Sequence, residues 1–570
     1  MFAQLITPVG RCHGLHSFMV PLRDPKTLLP YPGIVIGDMG PKIGLNGLDN
    51  GFMVFHDYEI GKETLMNRNA QVKDTGEYVA RVKDQSKRFG LQLGILSVGR
   101  MSINLMSITN LQLSITIAVR YSAVRRQFGP PPPNAESEEE QSRLGAILQQ
   151  NVSPSTESAN NVEQQIRPPE KLGNDLETIR YFLKQDPKTG VSRVQQATAA
   201  TLEESVEWPV LEYEMQNWRL APYVACFYVL HNFHFSFYRD YVDFFVTAYA
   251  LSDDPDREAE MGAEIHSLSS VAKSVASWLA RDSIQESREC CGGHGYLGAS
   301  RLGELRNDHD ANNTYEGDNN VLLQQTSNYL LRLYKEQVDN GRPLNSPFAS
   351  VNFLSEYKRI LARQRFDGRW TCLRSLLRVY EFLVAHLLVT SSAKVDQLTA
   401  AGQNAFVAKA SSQVYFLRSL SIAFFEHNCI ERFVRFLDEG DGEIPSELVA
   451  VLEQLGCLFA LWSLEKHLPS LYDAGFFVPP PDGPEVPDTH PSIHLKQNIL
   501  QLCEQLKPNL LALVDALAPD DFILNSALGC SDGQVYQHIF DSLTLNKGAF
   551  DRPDWYTDFT SNFEKLRSKL

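Results

Sequence analysis

Residues 314–331 read TYEGDNNVLLQQTSNYLL and contain one glutamate, Glu316, between a tyrosine and a glycine. Apolar and aromatic residues recur at helical spacing downstream, so we expect a helix to begin near Asp318 to Asn320. Glu316 would then precede a helix N-terminus, where a carboxylate commonly caps the helix or complements its dipole. Alternatively it is a general base, which needs a partly apolar pocket that raises the pKa of the carboxyl group. The residues alone leave both interpretations open.

Composition and charge restrict the class of protein. With 570 residues the chain is too long for one compact core, and we expect roughly two to four domains. The 53 basic and 69 acidic residues give a formal charge of −16, which argues against a general affinity for nucleic acid or anionic membranes. The nine cysteines show neither disulfide nor zinc spacing, so we expect free thiols, a reducing compartment and no metal site.

The local pattern divides the chain into β-rich, helical and polar parts. Residues 1–75 contain short β-branched and aromatic runs between Gly, Pro and Asn, which predict strands. Helical periodicity extends over 88–336, except for a Gln-, Ser-, Asn-, Thr- and Glu-rich tract at 130–205 that we interpret as a largely disordered acidic insertion. A linker is predicted at 337–367 and a second helical domain at 368–570. The predicted fold is therefore mainly α, with a partial β domain followed by two helical bundle domains.

One run without charged residues, Met101–Val119, is long enough to be considered as a membrane span. Eight of its 19 residues are polar, which is too many for the core of a bilayer. Its alternation is almost that of a strand, but its length and the arginine-rich end that follows favour a helix. We therefore predict a buried amphipathic helix and no membrane span.

The sequence RYSAVRRQFG, residues 120–129, follows this run. In one interpretation Arg120, Arg125 and Arg126 complement the dipole in the last turn of the helix. Gly129 would then be the C-cap, and the proline that follows would prevent the helix from continuing. In the other interpretation the arginines bind a phosphate or pyrophosphate. Either interpretation explains the positive charges of this segment.

Two further motifs match known binding sequences but lack their context. Residues 293–298, GHGYLG, match the GxGxxG string of dinucleotide-binding folds, which requires a strand before it. The preceding residues look helical, so we predict a glycine-rich turn that another group approaches closely. Asp308 and Asp310 begin like a calcium loop, but its required glycine and final glutamate are asparagines here. We therefore predict no calcium site.

Taken together, four ordered motifs resemble the acyl-CoA oxidase branch of the acyl-CoA dehydrogenase superfamily. They are RYSAVRRQFG (120–129), CCGGHGYLG (290–298), TYEGDNN (314–320) and the final SKL (568–570). The β-region sequence GDMGPKIGLNGLDNG (37–51) is also similar to these oxidases, and residues 314–331 resemble most closely the branched-chain (pristanoyl-CoA) peroxisomal type. The resemblance covers nearly the whole chain apart from the insertion.

The resemblance implies a specific reaction. In the family, a tightly held FAD takes a hydride from the β-carbon of an acyl-CoA while a glutamate removes the α-proton, which gives a trans-2-enoyl-CoA. O2 then reoxidises the flavin and yields H2O2, as the first step of peroxisomal fatty acid β-oxidation. The glutamate aligns with Glu316, and its own backbone N–H helps to bind the thioester carbonyl. Burial against flavin and substrate would raise the pKa of the carboxyl group.

The resemblance also implies roles for other residues. Arg125 matches the arginine that binds the pyrophosphate of the partner subunit's FAD, so the site would be completed only in a homodimer. The remaining matches lie beside the cofactor (Gln127, Phe128, Gly292 and Gly293) or beside the acyl chain (Tyr315 and Gly317).

The two ends of the sequence carry further expectations. The terminal Ser568, Lys569 and Leu570 form a peroxisomal import address that an import receptor reads. The N-terminal residues resemble the middle of the family's β domain, so we expect an N-terminally truncated chain that lacks the flavin clamp and part of the acyl pocket. The missing part motivates one alternative, a catalytically incompetent subunit that partners a full-length oxidase. A second alternative of the same fold is a dehydrogenase that passes electrons to a protein acceptor.

Overall fold

The computed structural model describes most of the chain. The described residues are 1–67, 70–80, 85–129, 207–246, 254–440, 442, 444–478 and 490–567, with the backbone alone at 85–95, 255 and 564. The predicted insertion at 130–205 and the terminal Ser568, Lys569 and Leu570 lie outside these residues.

The N-terminal region forms three two-stranded antiparallel sheets. The pairs are β1 (Phe2–Ile6) with β2 (Cys12–Ser17), β3 (Ile34–Asp38) with β4 (Gly51–Phe55), and β5 (Ala70–Val72) with β6 (Tyr78–Ala80). The expectation of strands in this region is confirmed. The turn between β3 and β4 packs against a later helix, because an added Cβ at Gly44 would meet the backbone carbonyl carbon of Asn307 at 2.4 Å.

Helices form most of the rest of the described chain. They are α1 (Gln85–Val124), α2 (Glu214–Val246), α3 (Pro255–Cys290), α4 (Leu302–Asp310), α5 (Asn319–Asn340), α6 (Tyr357–Arg363), α7 (Leu373–Ala400), α8 (Ala405–Ser411), α9 (Arg418–Glu439), α10 (Ser446–Leu464), α11 (Leu468–Asp473), α12 (Pro491–Leu506), α13 (Leu510–Asp515), α14 (Asp521–Leu524), α15 (Val535–Thr544) and α16 (Tyr556–Arg567). The mainly helical fold with a small β region is the predicted one.

Contacts group the chain into two compact units. The first comprises Met1–Thr116, Asn217–Cys290 and Leu302–Ala518, and the second comprises Ile117–Gln216, Cys291–Arg301 and Pro519–Leu570. In the first unit α3 packs against α5, and α7 packs against α9. The core there includes fully buried aromatic side chains such as Phe233, Tyr380 and Phe425, each of which contributes about 1.5–3 kcal/mol by burial.

Helix α1 contains the charge-free run. Among the residues that the structure describes, three helical stretches could cross a membrane by length and composition alone: Leu96–Val124, Leu373–Ala400 and Ser446–Asp473. Their most apolar windows are 67%, 61% and 50% buried inside the protein. Some polar side chains of α1 bond within the helix, as the Ser107 hydroxyl donates to the Ile103 carbonyl at 2.8 Å, and others bond to neighbouring helices, as the Asn104 amide does to the His234 Nδ1 atom at 3.2 Å. The polar alternation is therefore compatible with a buried helix.

The end of α1 differs from the expectation. The helix ends at Val124, so Arg125 and Arg126 do not lie in its last turn and Gly129 is not its C-cap. The backbone beyond the helix is extended and pairs with Trp208, whose carbonyl accepts from the Gln127 N–H at 3.0 Å. These backbone groups find distant partners in place of the next helical turn, which the local pattern could not reveal.

Candidate active site

Glu316 lies in a short loop between α4 and α5. Helix α5 begins at Asn319, and the Asp318 carboxylate caps it by accepting from the Asn320 N–H at 2.9 Å and the Val321 N–H at 3.2 Å. The predicted start of this helix is confirmed. Because Asp318 serves as the cap, Glu316 is not needed for that role.

The backbone of this loop is left-handed at two consecutive residues. Glu316 has φ 57° and Gly317 has φ 116°. A left-handed non-glycine residue costs on the order of 1–3 kcal/mol, and such residues cluster at functional sites. At Gly317 the φ angle and the space both require glycine, because an added Cβ would approach the Leu322 Cδ2 atom at 2.8 Å. The loop therefore directs the Glu316 side chain at a conformational cost.

The Glu316 side chain is exposed and lies against Gly99 of α1. An added Cβ at Gly99 would be 2.9 Å from the carboxyl carbon of Glu316, so only glycine leaves room for this rotamer. Within the described part of the chain, no side chain donates a hydrogen bond to the carboxylate. A carboxylate with free lone pairs is available to accept a proton. Its expected burial against flavin and substrate stays a prediction.

A buried arginine holds the loop from the side of α1. The Nε atom of Arg100 donates to the Glu316 carbonyl oxygen at 3.2 Å, and its Nη1 donates to the Nδ1 atom of His266 at 3.0 Å. Burial lowers the pKa of Arg100, while the nearby Glu316 carboxylate acts in the opposite direction. Burial, aided by Arg100, lowers the pKa of His266 to about 4, so this imidazole is neutral and accepts at Nδ1.

A buried lysine on α3 holds the next residue. The Nζ atom of Lys273 donates to the Gly317 carbonyl at 2.8 Å. Burial is the main cause that lowers the pKa of Lys273, to about 8. Sequence patterns did not indicate a role at this site for Gly99, Arg100 or Lys273, because each contacts the loop only through tertiary packing.

Tyr315 and the exposed face of α1 form an apolar surface beside the loop. The Tyr315 hydroxyl donates to the Asn312 Oδ1 atom at 2.7 Å and contacts the Met106 sulfur at 3.8 Å. Burial raises the pKa of Tyr315. The large hydrophobic side chains that the described part of α1 exposes are Val98, Leu105 and Met106. An apolar ligand could be covered by these side chains near Glu316.

The predicted cofactor residues belong to the second compact unit. Arg125 is partly buried and donates from Nη1 to the Tyr536 hydroxyl on α15, a bond that raises the pKa of Arg125. Behind it the Tyr121 hydroxyl meets the His294 Nδ1 atom at 2.9 Å, and burial raises the pKa of Tyr121 to about 12. Arg125 is therefore a permanent cation on a neutral aromatic support, suited to a phosphate.

The neighbouring predicted residues present exposed surface. The side chains of Gln127 and Phe128 are exposed, and Phe128 has a left-handed φ of 55°. Gly292 has φ 57°, and an added Cβ at Gly292 or Gly293 would meet no heavy atom within 4 Å. The open backbone at the glycine pair, together with the cationic Arg125, fits the anionic pyrophosphate of FAD and a planar group lying against the chain.

At these residues the structure does not have the geometry that a dinucleotide fingerprint or a calcium loop requires. Helix α3 extends to Cys290, directly ahead of the glycine turn, so the strand of a dinucleotide fingerprint is replaced by a helix. Asp308 and Asp310 lie in α4, where Asp308 accepts from the Leu45 N–H at 2.7 Å. The residues that the structure describes include no cluster of three or more His, Cys, Asp or Glu side chains that could hold a metal ion.

Comparison with known families gives two matches. A profile described as acyl-CoA oxidase matches residues 372–565. A second, described as the C-alpha1 domain of acyl-CoA oxidase, matches residues 93–144 and 190–331.

Individual proteins are also similar. Peroxisomal acyl-coenzyme A oxidase 3 of Homo sapiens is 40% identical over 577 residues, which is 100% of this chain and 70% of the relative. The structure of Arabidopsis thaliana acyl-CoA oxidase 1 is 25% identical with a TM-score of 0.74, and the match covers 100% of this chain and 72% of that one. A crystal structure of acyl-CoA oxidase-1 of Caenorhabditis elegans complexed with FAD and ATP is 23% identical with a TM-score of 0.72, covering 100% and 69%.

Proposed function

The chain belongs to the peroxisomal acyl-CoA oxidase family, and we propose that Glu316 is the base with which it performs the family reaction. That reaction is the FAD-dependent oxidation of an acyl-CoA to a trans-2-enoyl-CoA, the first step of peroxisomal fatty acid β-oxidation. The observation that carries the proposal is the Glu316 loop. It holds a carboxylate that accepts no side-chain hydrogen bond from the described residues, in a left-handed backbone that buried cations restrain.

In the proposed reaction the Glu316 carboxylate removes the proton from the α-carbon of the acyl thioester. The Glu316 N–H has no acceptor among the described residues, so it can donate to the thioester carbonyl as negative charge develops there. When bound, FAD would supply a hydride acceptor for the β-carbon and deliver two electrons to O2, which becomes H2O2 with the proton of that hydride and the α-proton released by Glu316. The two hydrogens that leave the acyl chain are thereby accounted for.

We propose that the Arg125 segment binds the cofactor. The Arg125 guanidinium would pair with the FAD pyrophosphate, with Gln127 and Phe128 beside it. The open backbone at Gly292 and Gly293 would let the cofactor approach closely. In keeping with the family resemblance, the cofactor would belong to the partner subunit of a homodimer.

The acyl chain is proposed to lie along the exposed apolar face of α1. Val98, Leu105 and Met106 provide that face, and Tyr315 and Gly317 flank the reacting carbons. A branched or long acyl chain would bury more apolar surface there than a short one, at about 25 cal/mol per Å². Substrate selectivity would thus follow chain length.

Location and organisation complete the proposal. Similarity to peroxisomal oxidases supports a peroxisomal location for this activity. We propose that an import receptor recognises Ser568, Lys569 and Leu570. We also propose that the chain is divided into a partial β domain at 1–75, a first helical domain at 88–336 and a second helical domain at 368–570.

The test is peroxide formation by the purified chain supplied with FAD and a long-chain acyl-CoA, without an added electron acceptor. We expect H2O2 and enoyl-CoA in equal amounts. Enoyl-CoA that forms only with an added acceptor would indicate a dehydrogenase. Absence of both products, with or without an acceptor, would indicate a subunit that is not catalytic by itself.

A further inference from the structure

Two consecutive carbonyls of the Glu316 loop are held by buried cationic side chains. Arg100 reaches the Glu316 carbonyl from α1, and Lys273 reaches the Gly317 carbonyl from α3. The two side chains therefore hold adjacent peptide units from different helices. Adjacent peptide units that are both fixed leave little freedom in the φ and ψ angles of Gly317, which lie between them, so the loop is anchored directly after Glu316.

Lys273 is the more unusual of the two. Its side chain is fully buried, and no described carboxylate lies within ion-pair distance of its Nζ atom. A lysine is almost never fully buried unless it is paired, since burial of an ammonium group is costly. Its Nζ donates instead to two neutral oxygens, the Gly317 carbonyl at 2.8 Å and the Asn319 Oδ1 atom at 2.9 Å.

Asn319 links this lysine to the same helix by a second route. Its amide Nδ2 donates to the Ser277 hydroxyl at 2.9 Å and to the Ser274 carbonyl at 3.3 Å. The Ser274 hydroxyl donates to the Asn319 carbonyl at 3.2 Å. The loop and the first turn of α5 are thus fastened to α3 by side chains one helical turn apart.

From this geometry we infer that Lys273 is a positioning residue for the base: it holds the Gly317 carbonyl so that the Glu316 carboxylate keeps the direction needed for α-proton removal. The inference rests on the proposed role of Glu316. Lys273 acts through the loop and does not touch the substrate. A shorter side chain would not reach both oxygens from α3, and a side chain without N–H donors would not bond to them.

The experiment compares Lys273→Met, which keeps the length and removes the donors, with wild type. In the cofactor-free chain, hydrogen–deuterium exchange of a peptide covering 314–322 should become about tenfold faster in the variant, because the loop and the cap lose their anchor. With FAD bound, exchange of the acyl-CoA α-hydrogens with D2O should fall about 10- to 100-fold. Acyl-CoA affinity and flavin content should stay within about twofold of wild type.

Two further variants keep the test informative if Lys273→Met folds poorly. Ser277→Ala removes a partner of Asn319 and should give a smaller change in the same direction. Ser283→Ala is the matched control: Ser283 lies on α3 like Lys273, and its loss removes a buried hydrogen bond to Ser114 of α1 but should change neither exchange measurement.

The outcomes distinguish the positioning role of Lys273 from the role of Glu316 as the base. Unchanged exchange in both measurements for Lys273→Met, or an equal loss in Ser283→Ala, would overturn the positioning role alone. Retained α-hydrogen exchange in Glu316→Gln would overturn the role of the base, on which the positioning role depends. Loss in Glu316→Gln and in Lys273→Met, with Ser283→Ala unaffected, is the result we expect.

Discussion

The loop that carries Glu316 and the segment that carries Arg125 are built in opposite ways. Arg100 and Lys273 hold the backbone of the first from two helices, and both are buried. The second continues from Arg125 into residues with exposed side chains, and Arg125 itself is held by one tyrosine hydroxyl. A base must be aligned to within a fraction of an ångström before substrate arrives. A site that binds pyrophosphate through a cation can reach its final geometry when the ligand arrives.

The sharpest test of this contrast is Glu316→Gln. Glutamine keeps the size but cannot accept a proton, so exchange of the acyl-CoA α-hydrogens with D2O should fall about 10²- to 10⁴-fold while flavin content is unchanged. Glu304→Gln is the matched control, since Glu304 is an exposed glutamate on α4. Equal exchange in the two variants would remove Glu316 from the reaction.

Gly99→Ala tests how closely the base is confined. The new Cβ would lie 2.9 Å from the Glu316 carboxyl carbon, so the carboxylate must move. We expect α-hydrogen exchange to fall about 10- to 100-fold. Alanine in a helix adds up to about 1 kcal/mol of stability, so the midpoint of thermal unfolding should not fall.

The control for that variant is Gly303→Ala in α4. An added Cβ there meets no heavy atom within 4 Å, and exchange should equal that of wild type. If Gly99→Ala also behaves like wild type, the confinement of Glu316 by α1 has no functional effect.

Arg125→Ala tests the second region. Removal of a charge-assisted hydrogen bond, worth about 1.5–3 kcal/mol, should weaken FAD binding about 10- to 100-fold, measured by flavin retained after gel filtration. The exchange rate per bound flavin should change little. Arg126→Ala is the control, because the Arg126 guanidinium is exposed and donates to the Glu207 carbonyl. Equal flavin loss in both variants would indicate that the overall positive charge of this segment, and not Arg125 in particular, retains FAD.

The smallest expected effect concerns acid stability near the base loop. His266 has its pKa lowered to about 4 from the ordinary 6.5, mainly by burial and then by Arg100. Between pH 4 and pH 6.5 the His266 imidazole binds a proton in the unfolded chain but not in the native state. The stability from neutral His266 is therefore fully present above pH 6.5 and is lost as pH falls toward 4. One pKa unit corresponds to about 1.4 kcal/mol.

His266→Asn should accordingly lose less stability than wild type when urea unfolding is compared at pH 7.5 and pH 4.5. The exposed His56→Asn should follow wild type at both values. A His266→Asn variant with the wild-type pH dependence would mean that other buried histidines, such as His234 and His427, account for the loss.

The sequence predicted those parts of the site that local pattern controls. The start of α5 followed from its periodicity, and the glycine turn after α3 followed from its helical flank. Arg100 could not be found this way, because it meets the Glu316 carbonyl across 216 positions. The same applies to the end of α1, where Arg126 pairs with Glu207 across 81 positions. The sequence alone also left open whether Glu316 caps α5: the structure assigns that cap to Asp318, and the role of Glu316 as a base stays a proposal.

The most direct measurement is the visible absorption spectrum of the chain reconstituted with FAD, before and after anaerobic addition of a long-chain acyl-CoA. The account predicts that the flavin band bleaches in wild type and persists in Glu316→Gln at equal flavin content. A band that bleaches equally in both proteins would contradict the assignment of Glu316 as the base.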